Sequence, residues 1–489
     1  MWSRLHTRPS LPDYAHEVKI RRKQNLANKL SRREFLRLSA LTAAGAALAG
    51  CGPKPTTVQP TEKPAEQVQP TTAPPAEEGV LIQYWAAWGN YVPCWDQIMA
   101  LPEAKELLGN NTVELKTGFD AATLLTAVSG GEPPDAVSHP SGQYLDYMAR
   151  GVLLPLESLV AASTIIKQAD YLEGSWNNGF WKGTQYWVPA NEGFLRYGLD
   201  YNARLVEEAG LDPDNPPLTW EECLQWHEKL TKFDAAGNLQ QVGFDPYDAM
   251  GGSLQFDNGF YAALSWGWDW FDEEAGTFDL NNDKMAESMD VMGEFYRIAG
   301  PDNMAGMRQV EGQGTWGGSF NTEVQAMLIE GYWHPGETQI QKPEVAKYNR
   351  ATWAPVPASR KGAKVQGYGG HYIGLFKEAP NAEPAFKIAE LVNTKGACDI
   401  IFNLVGWLPA LKPYLATVDP TTYPGLEFYI KSIDEATDWH TPARCPVTGF
   451  VQTQYVELRE KVYRDEMTGA EAAEEFQKRA EEEYKAAGF

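Results

Sequence analysis

"VLIQYWAAWGNYVPCWDQIMALPEAKELLGNNTVELKTGFDAATLLTAVSGGEPPDAVSHP", residues 80–140, sets the fold class. Val80 to Trp85 is a short apolar, β-rich run, and Thr112 to Lys116 alternates apolar with polar as a strand does. Asp135 to Ser138 is a third short strand. Between them, residues 95–108 and 121–129 carry helical spacing, and another helix follows over 144–150. Strands alternating with helices predict parallel βαβ units and a layered α/β sheet.

Downstream the pattern becomes richer in helix. A second segment starts near Gly193, with a helix over 203–209. Thr219 is set up as the N-cap of the next helix, with Glu222 as its capping-box partner and Cys223, Trp226 and Leu230 as its apolar stripe. The tail, 451–487, is also helical, with Tyr455, Leu458 and Val462 on one face.

Upstream lies a different kind of chain. Ser31-Arg32-Arg33-Glu34-Phe35-Leu36-Arg37 precedes a weakly apolar stretch, 38–50, too short to cross about 30 Å of hydrocarbon as a stable helix. It resembles a twin-arginine export signal, with Arg32 and Arg33 as the paired arginines. Leu48-Ala49-Gly50-Cys51 resembles a lipobox, which implies lipidation at Cys51. Residues 52–78 hold seven prolines and no aromatic residue. No core forms from that composition, so the segment reads as an extended tether reaching up to roughly 80 Å. The expected product is exported and lipid-anchored on the outer face of the cytoplasmic membrane.

The formal charge is −23, yet the first fifty residues hold ten Lys/Arg against three Asp/Glu, which leaves the rest at −30. So acidic a body disfavours nucleic acid and anionic membrane surfaces as partners. The five cysteines, Cys51, Cys94, Cys223, Cys398 and Cys445, form no CxxC and no zinc-type spacing with histidine. With Cys51 lipidated, the other four are open to disulfide pairing in an exported protein.

Five ordered pieces of the body carry a family resemblance: "SGGEPPDAVSHPSGQYLDYMARGVLLPLESL" (129–159), "YGLDYNARLVEEAGLDPDNPPLTWEECLQWHEKLT" (197–231), "AMLIEGYWHPGE" (326–337), "YGGHYIGLFKEAPNAEPAFKIAELVNT" (368–394) and "GWLPALKPYL" (406–415). Behind a lipobox and in this order, the chain resembles the extracellular solute-binding proteins of sugar-type ABC importers, family 1. The resemblance implies a two-lobed α/β fold of the periplasmic-binding-protein type II kind, with ligand held in the cleft between hinged lobes. It divides the chain into a signal peptide (1–50), a tether (51–78), a first lobe (79–189 plus 354–414) and a second lobe (190–353 plus 415–489). It also implies a monomer that uses no cofactor or metal, docks on ABC permease subunits, and touches the membrane only through its lipid.

Sugar recognition requires flat aromatic faces for the C–H side of a pyranose and polar groups for its hydroxyls. Trp85 and Trp88 end the first strand, where sheets present ligands; Trp85 is otherwise core, and Trp88 ranks above it as a contact. Asp120 either binds hydroxyls or caps the following helix, and Ser138 and His139 lie at the same sheet edge. Glu192, at the first crossing between lobes, is a ligand acceptor or an interlobe lock. Trp266 and Trp268, with Trp270 in the cluster Ser265-Trp266-Gly267-Trp268-Asp269-Trp270, read as loop residues of which at least one reaches ligand. Trp316 sits among glycines, equally suited to packing or stacking.

Trp333 follows a predicted helix ending at Gly331, and the family resemblance makes it the leading stacking residue. Gly369, Gly370 and His371 match the family's glycine turn facing the cleft, and Trp407 occupies a loop near the ligand in relatives. His139, His334 and His371 border the same cleft but lack metal-site spacing, so hydrogen bonding or packing is expected of them.

Carbohydrate capture is thus the leading expectation. A polyamine, amino-sugar or polyol binder, in which Asp120, Glu192 and Asp269 supply counter-charge, is the alternative, and a sensor subunit shares the signature. A secreted glycoside hydrolase would need a carboxylate pair about 5 Å or 6.5–9.5 Å apart, and no motif selects one.

Overall fold

A computed structural model describes residues 78–140, 145–193, 195–247, 260–311 and 318–489. The proposed signal, Arg32, Arg33, Cys51, nearly all of the tether, and Trp316 lie outside them. Strands β1 (Leu81–Ala86), β2 (Thr112–Thr117), β3 (Ala136–Pro140) and β4 (Trp187–Pro189) belong to the first half of the chain. They are followed by β5 (Gly198–Asn202), β6 (Lys232–Phe233), β7 (Leu239–Phe244), β8 (Gln325–Glu330), β9 (Asn349–Thr352) and β10 (His371–Leu375). Two five-stranded sheets result, ordered β2-β1-β3-β10-β4 and β9-β5-β8-β7-β6.

The opening βαβ reading fits the first sheet only in part. Both β2 and β3 pair parallel with β1, with Tyr84 opposite Leu115 and Ala136. β10 is antiparallel to β3 and β4, setting Ile373 against Ser138 and Val188. The sheet is therefore mixed, because β10 re-enters from the other lobe without the crossover helix that would turn it parallel. In the second sheet β8 runs parallel to β7 and antiparallel to β5.

β1 forms because its alternation buries Ile82, Tyr84 and Ala86 on one face. The helix expected over 95–108 is two, α1 (Val92–Met99) and α2 (Pro102–Leu108), since Pro102 has no N–H to continue α1 and instead starts α2. α3 (Ala121–Ser129) matches its predicted span. In the second lobe α4 (Trp220–Leu230) carries the expected capping box, with both Thr219 and Glu222 side chains engaged. α5 (Tyr261–Trp266) and α6 (Asp283–Ala299) complete that lobe's central core.

α7 (Trp333–Gln341) leaves the end of β8 and packs on α9 (Lys395–Val405). The helix before it, α8 (Ala382–Val392), covers the first sheet. The tail forms α10 (Thr448–Tyr463) and α11 (Gly469–Ala486), which pack on α6 and bury Tyr455, Leu458 and Val462. The fold is the two-lobed α/β arrangement of periplasmic binding proteins of type II. Cys94, Cys223, Cys398 and Cys445 are buried free thiols, so no pairing among them forms. No helix among the described residues is long and apolar enough to cross a membrane.

Candidate functional site

The chain first passes between the sheets from Pro189 at the end of β4 to Gly198 at the start of β5. Asn191 makes the turn with φ +61, a left-handed conformation that Asn tolerates better than most residues. Its side-chain amide donates to Ser138 Oγ at 3.0 Å and to Tyr84 OH at 3.4 Å, so Ser138 anchors the crossing. The amide of Ala190 donates to the His371 carbonyl at 3.0 Å and that of His371 to the Glu192 carbonyl at 3.2 Å, which fixes Glu192 beside β10.

Glu192 is buried and its carboxylate accepts from Tyr332 OH at 2.7 Å. Burial raises its pKa, while the Arg196 guanidinium and the tyrosine hydroxyl favour the charged form. Arg196 in turn lies over the Trp333 ring, 5.0 Å from its centroid. A Cβ on Gly369 would overlap Arg196 Nε, and one on Gly370, where φ is +149, would overlap Gly193 Cα. The glycine turn thus admits the guanidinium and the crossing backbone, where the sequence suggested room for a ligand.

A second half of the cluster is aromatic. The Trp88 and His371 rings lie nearly coplanar, with centroids 5.6 Å apart and planes at 9°, joined edge to edge by the indole N–H of Trp88 donating to His371 Nε2. Trp407 meets the same imidazole edge-on at 5.1 Å and donates its own N–H to Glu337 Oε1 at 2.7 Å. Glu337 is buried on α7, and burial, reinforced by the charge of Glu192, pushes its pKa up to about 8 even against the Trp407 hydrogen bond. At neutral pH Glu337 therefore largely keeps its proton and offers an O–H as well as an acceptor. His371 Nε2 lies 4.0 Å from Glu192 Oε1.

Trp88, Glu192, Trp333, Gly369, Gly370, His371 and Trp407 are thus drawn together around the crossing, joined by Ser138. Tyr332, Arg196 and Glu337 complete the group and carried no prediction. Arg196 was masked by the apolar run Leu195–Tyr197 around it. Glu337 stands in the quoted "GYWHPGE", four residues after Trp333 and so on the same helical face.

Other expected residues do different work. Trp85 packs on Phe119 at 5.4 Å with Lys116 Nζ 3.6 Å above its ring, a sheet-surface role. Asp120 caps α3, accepting from Thr123 N at 2.7 Å. Trp266 ends a helix instead of lying in a loop, stacked on Trp220 at 5.8 Å, and Trp268 donates to the Asp279 carbonyl. Both are buried in the second lobe's core, because Gly267 at φ +75 turns the chain back onto the helix and packs the indoles inward. His334 is buried edge-on to Phe320, and burial pushes its pKa down to about 3. His139 occupies β3 opposite Tyr372. Among the described residues no three His, Cys, Asp or Glu side chains gather as a metal site.

Aromatic rings, two buried carboxyls and a guanidinium are thus gathered at the crossing between the two sheets. Residues 100–397 match the family model of bacterial extracellular solute-binding proteins. The chain belongs to that family. No curated protein matches it in sequence, but solved structures match this solute-binding protein closely in fold. One is an ABC substrate-binding protein from Listeria monocytogenes in complex with cycloalternan, 19% identical, with a TM-score of 0.68 over 84% of this chain and 100% of that one. Another is an ABC transporter solute-binding protein from Thermotoga lettingae bound with alpha-D-tagatose, 19% identical, with a TM-score of 0.67 over 83% and 100%. The sugar-binding protein MalE from Xanthomonas citri gives 18% and 0.63 over 83% and 98%. At these identities the likeness establishes the solute-binding fold.

Proposed function

We propose that this protein is the substrate-binding lipoprotein of an ABC importer, capturing a carbohydrate between its lobes and delivering it to the membrane permease. The observation that carries this reading is the Trp333–Arg196–Glu192–Tyr332 group beside Trp88, Trp407 and Glu337 at the interlobe crossing. Neighbours of the same fold bind cycloalternan, mannotriose and alpha-D-tagatose, which supports the ligand class.

Stacking on an indole face, hydrogen bonds to the carboxyls and guanidinium, and expulsion of water on lobe closure would supply the affinity. The lobes are taken as 79–189 plus 354–414 and 190–353 plus 415–489, with the crossings as hinges. Export through the paired arginines Arg32 and Arg33 and lipidation at Cys51 place the protein on the outer face of the membrane as a monomer. The site binds without chemistry.

The carboxyl acceptors Glu192 and Glu337 at the site keep an amino-sugar as the second reading. A thermal-shift screen of the purified protein against mono- and oligosaccharides, polyols, amino-sugars and polyamines tests both, since a ligand that binds the native state raises the melting temperature. The expected result is stabilisation by a neutral carbohydrate recovered intact. Stabilisation only by polyamines would sink the carbohydrate reading, and recovery of cleaved sugar would indicate a hydrolase.

A further inference from the structure

Three helices, α1, α7 and α9, leave a cavity of about 270 Å³ between them, lined by Pro93, Glu337, Ile340, Gln341, Leu404 and Val405. Glu337, Ile340 and Gln341 come from one face of α7, spaced i, i+3 and i+4. A Cβ on Gly336 would lie 2.5 Å from Gly406 Cα, so α7 and the residue capping α9 touch backbone to backbone. That contact fixes the spacing of the two helices, with the cavity beside it.

The walls are apolar except at Glu337 and Gln341. Ile340, 40% exposed, opens the cavity to solvent, whereas Glu337 is only 5% exposed. Glu337 Oε1 accepts from Trp407, and no described residue donates to Oε2. The neighbouring charge that acts on this carboxyl is the like charge of Glu192, and no cation among the described residues pairs with it. A buried carboxyl with a free oxygen and no counter-ion lacks a partner that burial makes valuable. In a chain of net charge −23, that partner is a cation, and the walls require it to bring an apolar body.

We propose that this cavity is a binding site for a small organic cation, a primary alkylammonium whose charged end meets Glu337 Oε2 and whose chain lies against Pro93, Ile340, Leu404 and Val405. The ionised carboxylate is the binding form. On entry of the ligand at neutral pH, the Glu337 proton passes to solvent and the ammonium keeps its three hydrogens. The site stands apart from the carbohydrate reading, since it uses an oxygen and apolar walls that the Trp333 group leaves unused.

Calorimetric titration with n-hexylamine and, as the neutral molecule of equal length, n-hexanol tests the proposal. At pH 9 Glu337, whose pKa burial raises to about 8, is ionised, and an alkylamine, with its pKa above about 10, is still charged. The expected result is one hexylammonium bound per wild-type molecule, at least about tenfold more tightly than hexanol. E337Q brings the amine down to the affinity of the alcohol. Leu404→Trp, which fills the recess and keeps the carboxyl, weakens both ligands at least about tenfold. Thermal melts establish that each variant folds, and either folded variant decides alone. No amine binding to the wild type, equal affinity for amine and alcohol, or amine binding unchanged in a folded variant overturns the proposal.

Discussion

Glu337 shows how burial, more than charge pairing, sets the character of the site. An unfolded chain releases this proton near the ordinary carboxyl value of 4.5, the folded one only near 8. Across that window the unfolded state binds fewer protons, so Glu337 makes stability fall as pH rises. Asp200, raised to about 7 by burial, contributes a slope of the same sign. E337Q keeps an acceptor for Trp407 but cannot ionise. The E337Q-minus-wild-type difference in melting temperature should therefore grow more positive from pH 4 to pH 9, with the Asp200 slope common to both proteins. A difference that stays flat over that range would contradict the assignment.

Glycines make a second case at this scale. Gly370→Ala puts a Cβ into the Gly193 backbone at φ +149 and should cost about 2–4 kcal/mol in a denaturant melt. Gly306→Ala, in an exposed helical position with nothing within 4 Å, should instead stabilise by about 0.5–1 kcal/mol. Equal effects at the two sites would refute the close-approach account. The segment before Gly331 was expected to be a helix but forms β8, and Trp333 opens α7 instead; its choice came from the family resemblance, and that of Glu192 from its place at the crossing. Arg196 was not legible, because a lone basic residue in an apolar run looks like a strand's solvent face. Here it is buried against Trp333.

Whole elements were more readable than single contacts. The Thr219–Glu222 capping box was visible in the sequence because its two side chains must lie three residues apart to exchange hydrogen bonds with the backbone. Thr219→Ala leaves the Glu222 amide without its partner and should lower stability by about 1 kcal/mol, read by chemical denaturation. An unaltered midpoint would mean that the Lys361–Glu222 pair and the Val356 contacts hold the helix start without the cap. The cluster at 265–270 misled for a physical reason. Alternate tryptophans among glycines suit a binding loop and a tight helix-to-turn corner equally, and only the packing of Trp266 on Trp220 separates the two.

At the scale of the molecule, the three opening strands and their parallel pairing were read correctly, but the strands that complete their sheet were not. Long-range pairing brings in β10 from some 230 residues downstream of β3, antiparallel, and no local pattern encodes that partner. The same return of the chain lays His371 beside Trp88 and Glu192, so the site exists only once β10 has paired with β3 and β4. This is why its histidine and carboxyls looked scattered along the sequence.

The account's central claim is that the group around Trp333 binds an intact carbohydrate. Titration calorimetry of the wild type and Trp333→Ala with the sugar that most raises the melting temperature tests it most directly. The predicted result is one sugar bound per protein molecule, with affinity reduced at least about tenfold by loss of the stacking face. Equal affinity in the two proteins would contradict it.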